Sequence, residues 1–130
     1  MDLAKLDLTK ASNEGAWYTL KHPATGEELS GKIKIIGKDS TKFTQLSEEF
    51  KRKALEDMKS AKTMAQRLES AQEQSDAILA ACTIDWDGMM LDGEDVPFTE
   101  SNVKMIYTRF PWIKEQIDTA IADRSNFLIP

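Results

Sequence analysis

Residues 38–87 read KDSTKFTQLSEEFKRKALEDMKSAKTMAQRLESAQEQSDAILAACTIDWD, a stretch with no glycine and no proline. Alanine, glutamate, lysine, glutamine, methionine and leucine dominate it. These residues lose little side-chain freedom in a helix, so the composition predicts helix throughout. Asp39 or Ser40 can cap its start by accepting from the free first-turn N–H groups. Ala54, Met58, Ala61, Ala65, Leu68, Ala71, Ser75, Ile78 and Cys82 recur in steps of three and four, which places them on one stripe of a helix. The stripe is rich in alanine and permits close approach of a second helix. One long helix or two with a break near Lys59 to Thr63 would fit, and two is the preferred reading. Trp86-Asp87-Gly88 is expected to end the helix, because glycine after the last turn adopts a left-handed backbone cheaply.

Working outward, the pattern changes on both sides. Leu29 to Ile36 alternates Ile33 and Ile35 with Lys32 and Lys34, the period of a half-buried strand. Trp17, Tyr18 and Thr19 favour a second strand, and His22-Pro23-Ala24-Thr25-Gly26-Glu27 supplies the reversal between them. A β-hairpin over 15–37 is predicted, and it must lean on a helix or another chain to be stable. Residues 1–14 read as a flexible arm or short helical turn. C-terminal to the helical stretch, Asp92-Gly93-Glu94-Asp95-Val96-Pro97 reads as a loop, Thr99 as the cap of a short helix, and Pro111 as the first turn of another. The second of these helices has Trp112, Ile113, Ile117, Ala120 and Ile121 as its apolar face. Residues 125–130 read as an extended tail. The expected fold is one domain, mainly α with a small N-terminal β-hairpin (α+β), in which residues 38–124 form a bundle of about four helices.

At 130 residues, with 41% hydrophobic and 30% charged side chains, the chain can bury one core without staples. No apolar run approaches the roughly 20 residues that cross a bilayer, and the first residues mix acid with base, unlike a signal peptide. No membrane association is expected. Residues 32–62 hold nine Lys and Arg against five acids, and residues 85–130 hold nine acids against four bases, local balances of +4 and −5. The basic stretch shares its helix with Glu48, Glu49, Glu56 and Asp57 and reads as a solvated face. With a net charge of −5, no nucleic-acid partner is expected. The asymmetry suits head-to-tail self-association.

The toolkit for bond-making is thin. Cys82 is the single cysteine and reads as a small buried hydrophobe; His22 is the single histidine and sits beside Pro23 in a turn. One cysteine and one histidine are too few ligands for a soft-metal site. A calcium loop started at Asp85 puts Gly88 fourth and Val96 twelfth, where an EF-hand needs Gly sixth and Glu twelfth. No glycine-rich phosphate loop is present. No catalytic, cofactor-binding or metal residue is assigned, and the chain reads as a non-enzyme. What remains is a set of large apolar groups near chain reversals: Trp86, Met89, Met90 and Leu91 around Gly88, and Trp112 after Pro111. They are the candidate partner-binding residues, weighed against the alternative that they wedge helices together as core. Paired methionines suit an adaptable surface because the unbranched thioether repacks cheaply.

The order of motifs resembles a known family. Trp17-Tyr18-Thr19-Leu20 and His22-Pro23-Ala24-Thr25-Gly26 in a hairpin precede a helix opening at Asp39-Ser40 with Phe43. Then come Trp86, the acidic Asp92-Gly93-Glu94 loop, and Pro97-Phe98-Thr99-Glu100 with Asn102. Over most of residues 15–127 this resembles the tail assembly chaperones of bacteriophages with long non-contractile tails, the lambda-like class. The resemblance implies a protein that binds the tape measure protein, keeps its apolar helices soluble and helps recruit tail tube subunits. It would act in the host cell cytoplasm and be absent from the mature virion. The competing expectation is a structural head–tail or neck joining subunit, which would remain in the particle.

Overall fold

The computed structural model describes residues 1–60 and 62–128. In chain order its elements are α1 (Leu8–Glu14), β1 (Ala16–Lys21), β2 (Glu28–Ile35), α2 (Thr41–Lys59), α3 (Met64–Ala81), β3 (Thr83–Asp87), β4 (Met90–Leu91), β5 (Glu94–Asp95), α4 (Glu100–Arg109) and α5 (Pro111–Ala122). Short 3-10 turns occupy Leu3–Leu6 and Arg124–Asn126. The fold is mainly α with a small antiparallel sheet, as the composition and alternation predict.

The long Gly- and Pro-free stretch does break into two helices. Ser40 is the cap of α2, its hydroxyl accepting from Phe43 N at 3.2 Å. Thr63 and Gln66 start α3 with a reciprocal capping box: each side chain accepts from the other's backbone N–H, at 3.1 and 2.9 Å. Ala61, one member of the expected stripe, lies outside the described residues.

The far end of that stretch corrects the sequence reading. Helix α3 stops at Ala81, well short of Trp86, and Thr83–Asp87 become strand β3 beside β2. The register explains the change. Asp87 faces Lys32 and Asp85 faces Lys34, while Trp86 faces Ile33 and Thr83 faces Ile35. Opposite charges stand opposite one another in register on the outer side of the sheet, and Trp86 stands opposite Ile33 on the inner side. A register shift between Lys34 and Ile35 turns Thr83 inward and leaves Ile84 exposed. Gly88 is left-handed, φ +70°, yet it serves the turn out of β3 and not the end of a helix; a Cβ there would stand 2.8 Å from Ser30 O.

The sheet order is β1-β2-β3, so the expected hairpin gains a third strand. Ile33 and Ile35 are fully buried and Lys32 is exposed, as the alternation predicts. Leu20, Ile33, Ile35 and Trp86 meet Val103, Ile106 and Tyr107 of α4 and Ile113, Ile117 and Ile121 of α5 in one core. Helices α4 and α5 thus share one core with the sheet, and α2 pairs with α3.

Residues 8–14 and 124–128 both pack onto the body of the fold. Residues 8–14 form α1, the helical alternative for this segment: Ser12 is buried, Gly37 N donates to Ser12 O, and Asn13 Oδ1 accepts from Thr41 N at 2.8 Å. That last bond satisfies a free N–H at the start of α2, a cap supplied from a remote segment. Residues 125–128 are not an extended tail. Phe127 is buried, and Asn126 donates to Ala120 O at 3.0 Å. Gly37 lies where these two segments converge; a Cβ on it would come within 2.8 Å of Ser12 Oγ and 2.9 Å of the Phe127 ring. Arg124 forks onto Asp39 with bonds of 2.8 and 3.0 Å, which holds the Asp39 carboxyl below the usual carboxylate range.

Candidate partner-binding surfaces

The five residues nominated from sequence do not form one site. Trp86 is 8% exposed; its Nε1 donates to Val96 O at 2.8 Å, and its ring meets Phe98 edge-on with centroids 5.2 Å apart. Met89 is 9% exposed and lies against Gly31, where a Cβ would come within 3.2 Å of its sulfur. Both seal the core, because the β3 register turns Trp86 toward Ile33, so neither is presented to a partner. Met90 is 60% exposed and Leu91 half-buried, on the small β4–β5 hairpin. Asp92 and Gly93 make its turn with φ of 53° and 81°, the left-handed pair that matches strand twist in a two-residue loop. Trp112 is half-buried and lines a different cleft, of about 470 Å³, with Tyr18, Pro23 and Gln116. The Gln116 amide closes the edge of β1 there, accepting from Lys21 N at 3.0 Å and donating to Lys21 O at 2.8 Å.

Another apolar surface lies on the α2–α3 hairpin, in residues not nominated from sequence as binding residues. Leu55, Met58, Met64 and Leu68 are between 59% and 66% exposed. Met58 and Leu68 line a cleft of about 240 Å³ between the two helices, together with Phe50, Ala54, Arg67 and Ala71. Leu55 is three residues before Met58, and Met64 four before Leu68, so each extends the same face by one turn. At the floor of the cleft Asp57 is buried and bonded by Lys62 at 2.9 Å, which holds its carboxyl below the usual range against the opposing effect of burial. The signal for this surface was the stripe running from Ala54 to Cys82. It reads as a buried face, and at the body end it is one: Cys82 is buried and Ile78 half-buried. Farther out, Ala54, Met58, Ala65 and Leu68 are exposed. Periodicity shows which residues share a face; it does not show whether anything covers that face.

The titratable groups with resolved shifts serve the scaffold. Burial pushes the Cys82 thiol up to about 11 and the Tyr107 phenol up to about 12, the latter hydrogen-bonded to Thr83. His22 Nδ1 accepts from Ala24 N at 3.0 Å and from Thr25 N at 3.3 Å, closing the β1–β2 turn. Among the described residues no three His, Cys, Asp or Glu side chains gather as a metal-ligating cluster, and no helix is long and apolar enough to cross a membrane. Comparison with models of known families, with curated proteins and with solved structures found no match to this chain.

Proposed function

We propose that this protein is a non-enzymatic tail assembly chaperone of a long-tailed bacteriophage. It binds the tape measure protein, keeps that protein's apolar helices soluble in the host cytoplasm, helps bring in tail tube subunits and is absent from the finished virion. The observation that supports this reading is the exposed apolar face of the α2–α3 hairpin, formed by Leu55, Met58, Met64 and Leu68. Covering such side chains is favourable, with about 1.5–3 kcal/mol as the upper bound for each when a fully exposed side chain becomes fully buried. Two of the four are methionines, which repack against unlike partners at low cost. The exposed Met90 turn and the Trp112 cleft are separate surfaces on which a second component could sit while the hairpin is occupied. The basic stretch 32–62 and the acidic C-terminal stretch 85–130 also suit modest self-association.

Co-expression with the tape measure protein of the same phage tests the proposal. The tape measure protein should become soluble and co-purify with the chaperone. A chain carrying Leu55→Glu, Met58→Glu and Leu68→Glu should fold normally and lose both effects. Absence of rescue and of co-purification with the unaltered chain would overturn the proposal. Mass spectrometry of mature particles separates a chaperone, which is missing from them, from a head–tail or neck joining subunit, which is retained.

A further inference from the structure

We infer that the α2–α3 cleft takes an amphipathic helix whose apolar seam is flanked by a carboxylate, and that Arg67 is the residue that recognises the acid. The inference rests on the reading of this hairpin as a partner surface and adds what the partner must carry. Three observations converge on it. The cleft between two antiparallel helices is lined by Ala54, Met58, Leu68 and Ala71, a shape that the ridge of a third helix fills. Arg67 lines the same cleft, forms no ion pair among the described residues, and has its Nε buried without a hydrogen-bond partner among them. The one acid lining the cleft, Asp57, is already engaged by Lys62.

The surrounding charges point the same way. Lys51 stands one turn before Leu55 on the exposed face of α2 and has no ion-pair partner among the described residues. Along α3, Ala65, Leu68, Gln72 and Ser75 follow one another at helical spacing and carry no charge. A glutamate beside the partner's seam meets Arg67 from α3 and Lys51 from α2, with Glu48 one turn before Lys51 as an opposing charge. A lysine in that place meets Arg67 and Lys51. A guanidinium among apolar side chains gains most from a carboxylate that arrives with its own apolar cover, because both are then removed from water together.

The test uses the full-length chain and three synthetic helical peptides of about 18 residues, matched to the rise and length of the hairpin helices. Each carries leucines at i, i+3, i+4 and i+7, and they differ only in Glu, Gln or Lys beside the seam. Fluorescence anisotropy of labelled peptide should show the Glu form binding about 10-fold more tightly than the Gln form, with the Lys form weakest. Arg67→Gln should bring the Glu and Gln peptides within about 2-fold of each other, and Arg67→Glu should make the Lys peptide the preferred one. Lys51→Glu, a change on the exposed surface, should weaken the Glu peptide and leave the thermal melt unchanged. Equal affinity for all three peptides would overturn the inference, and so would failure to bind any of them. Capture of the hairpin by phosphatidylglycerol vesicles, with no peptide binding, would overturn it as well and assign the face to a lipid surface. Rescue of the tape measure protein in co-expression is read separately. Rescue together with equal peptide affinities would leave the chaperone proposal standing and end this one.

Discussion

The junction where α3 gives way to β3 is held by a buried hydroxyl relay, and cutting it has calculable consequences. Thr83 Oγ1 donates to Leu79 O at 3.0 Å and therefore accepts from Tyr107 OH, 2.6 Å away. Three elements meet in those two bonds: the last turn of α3, the first residue of β3, and α4. Tyr107→Phe removes one donor and leaves Thr83 bonded to Leu79, a loss of about 1 kcal/mol. Thr83→Val keeps the shape but strands both the Tyr107 hydroxyl and the Leu79 carbonyl, about 2–3 kcal/mol. Made on top of Tyr107→Phe, the same change strands only the carbonyl. The double variant should then be less destabilised than the sum of the singles by about 1 kcal/mol. For a chain of this length each kcal/mol corresponds to about 4 °C in the melting temperature. Urea unfolding followed by circular dichroism on the unaltered chain, the two singles and the double measures the coupling. Single effects that add to within about 0.3 kcal/mol would refute the relay, since residues in contact should not behave independently.

Trp86→Ala should cost about 3–5 kcal/mol of stability while Met90→Ala stays within about 0.5 kcal/mol, because one ring is sealed in the core and the other side chain faces solvent; similar melting curves for the two would contradict the β3 register. Alkaline stability should fall between pH 9 and about 12. Burial raises both Cys82 and Tyr107 above their ordinary values of 9.0 and 10.0, so their contribution is complete below those values and is lost as pH rises through 11 and 12. Cys82→Ala should flatten the early part of that decline in urea midpoints taken across the range.

Much of the local structure was legible because its causes are local. Ser40 caps α2 and Thr99 caps α4 through their own hydroxyls, and Pro111 opens α5 where a missing N–H costs nothing. The break between α2 and α3 coincides with a capping box that Thr63 and Gln66 build within one turn. The alternation of Lys32, Ile33, Lys34 and Ile35 named the faces of β2 correctly. The misreadings share a different cause. Thr83–Asp87 lies at the end of a strongly helical composition, and only the presence of β2 alongside gives Asp85 and Asp87 lysines to face and Trp86 an isoleucine to cover. The candidate site divided for the same reason: Trp86 and Met89 went into the core that β3 helps to close, leaving Met90, Leu91 and Trp112 on two separate surfaces.

By itself the sequence determined where helices begin, which residues share a face, where the first hairpin turns, and that the chain carries one cysteine and one histidine. Those properties depend on neighbours within a turn or two, or on which residue types are present at all. Only the tertiary structure decided that Thr83–Asp87 is a strand, that α1 and Phe127 dock around Gly37, and that the outer stretch of the Ala54–Cys82 stripe stays uncovered. Each of those outcomes depends on what arrives from a distant part of the chain, and a periodic pattern records the wish to be buried without recording the partner.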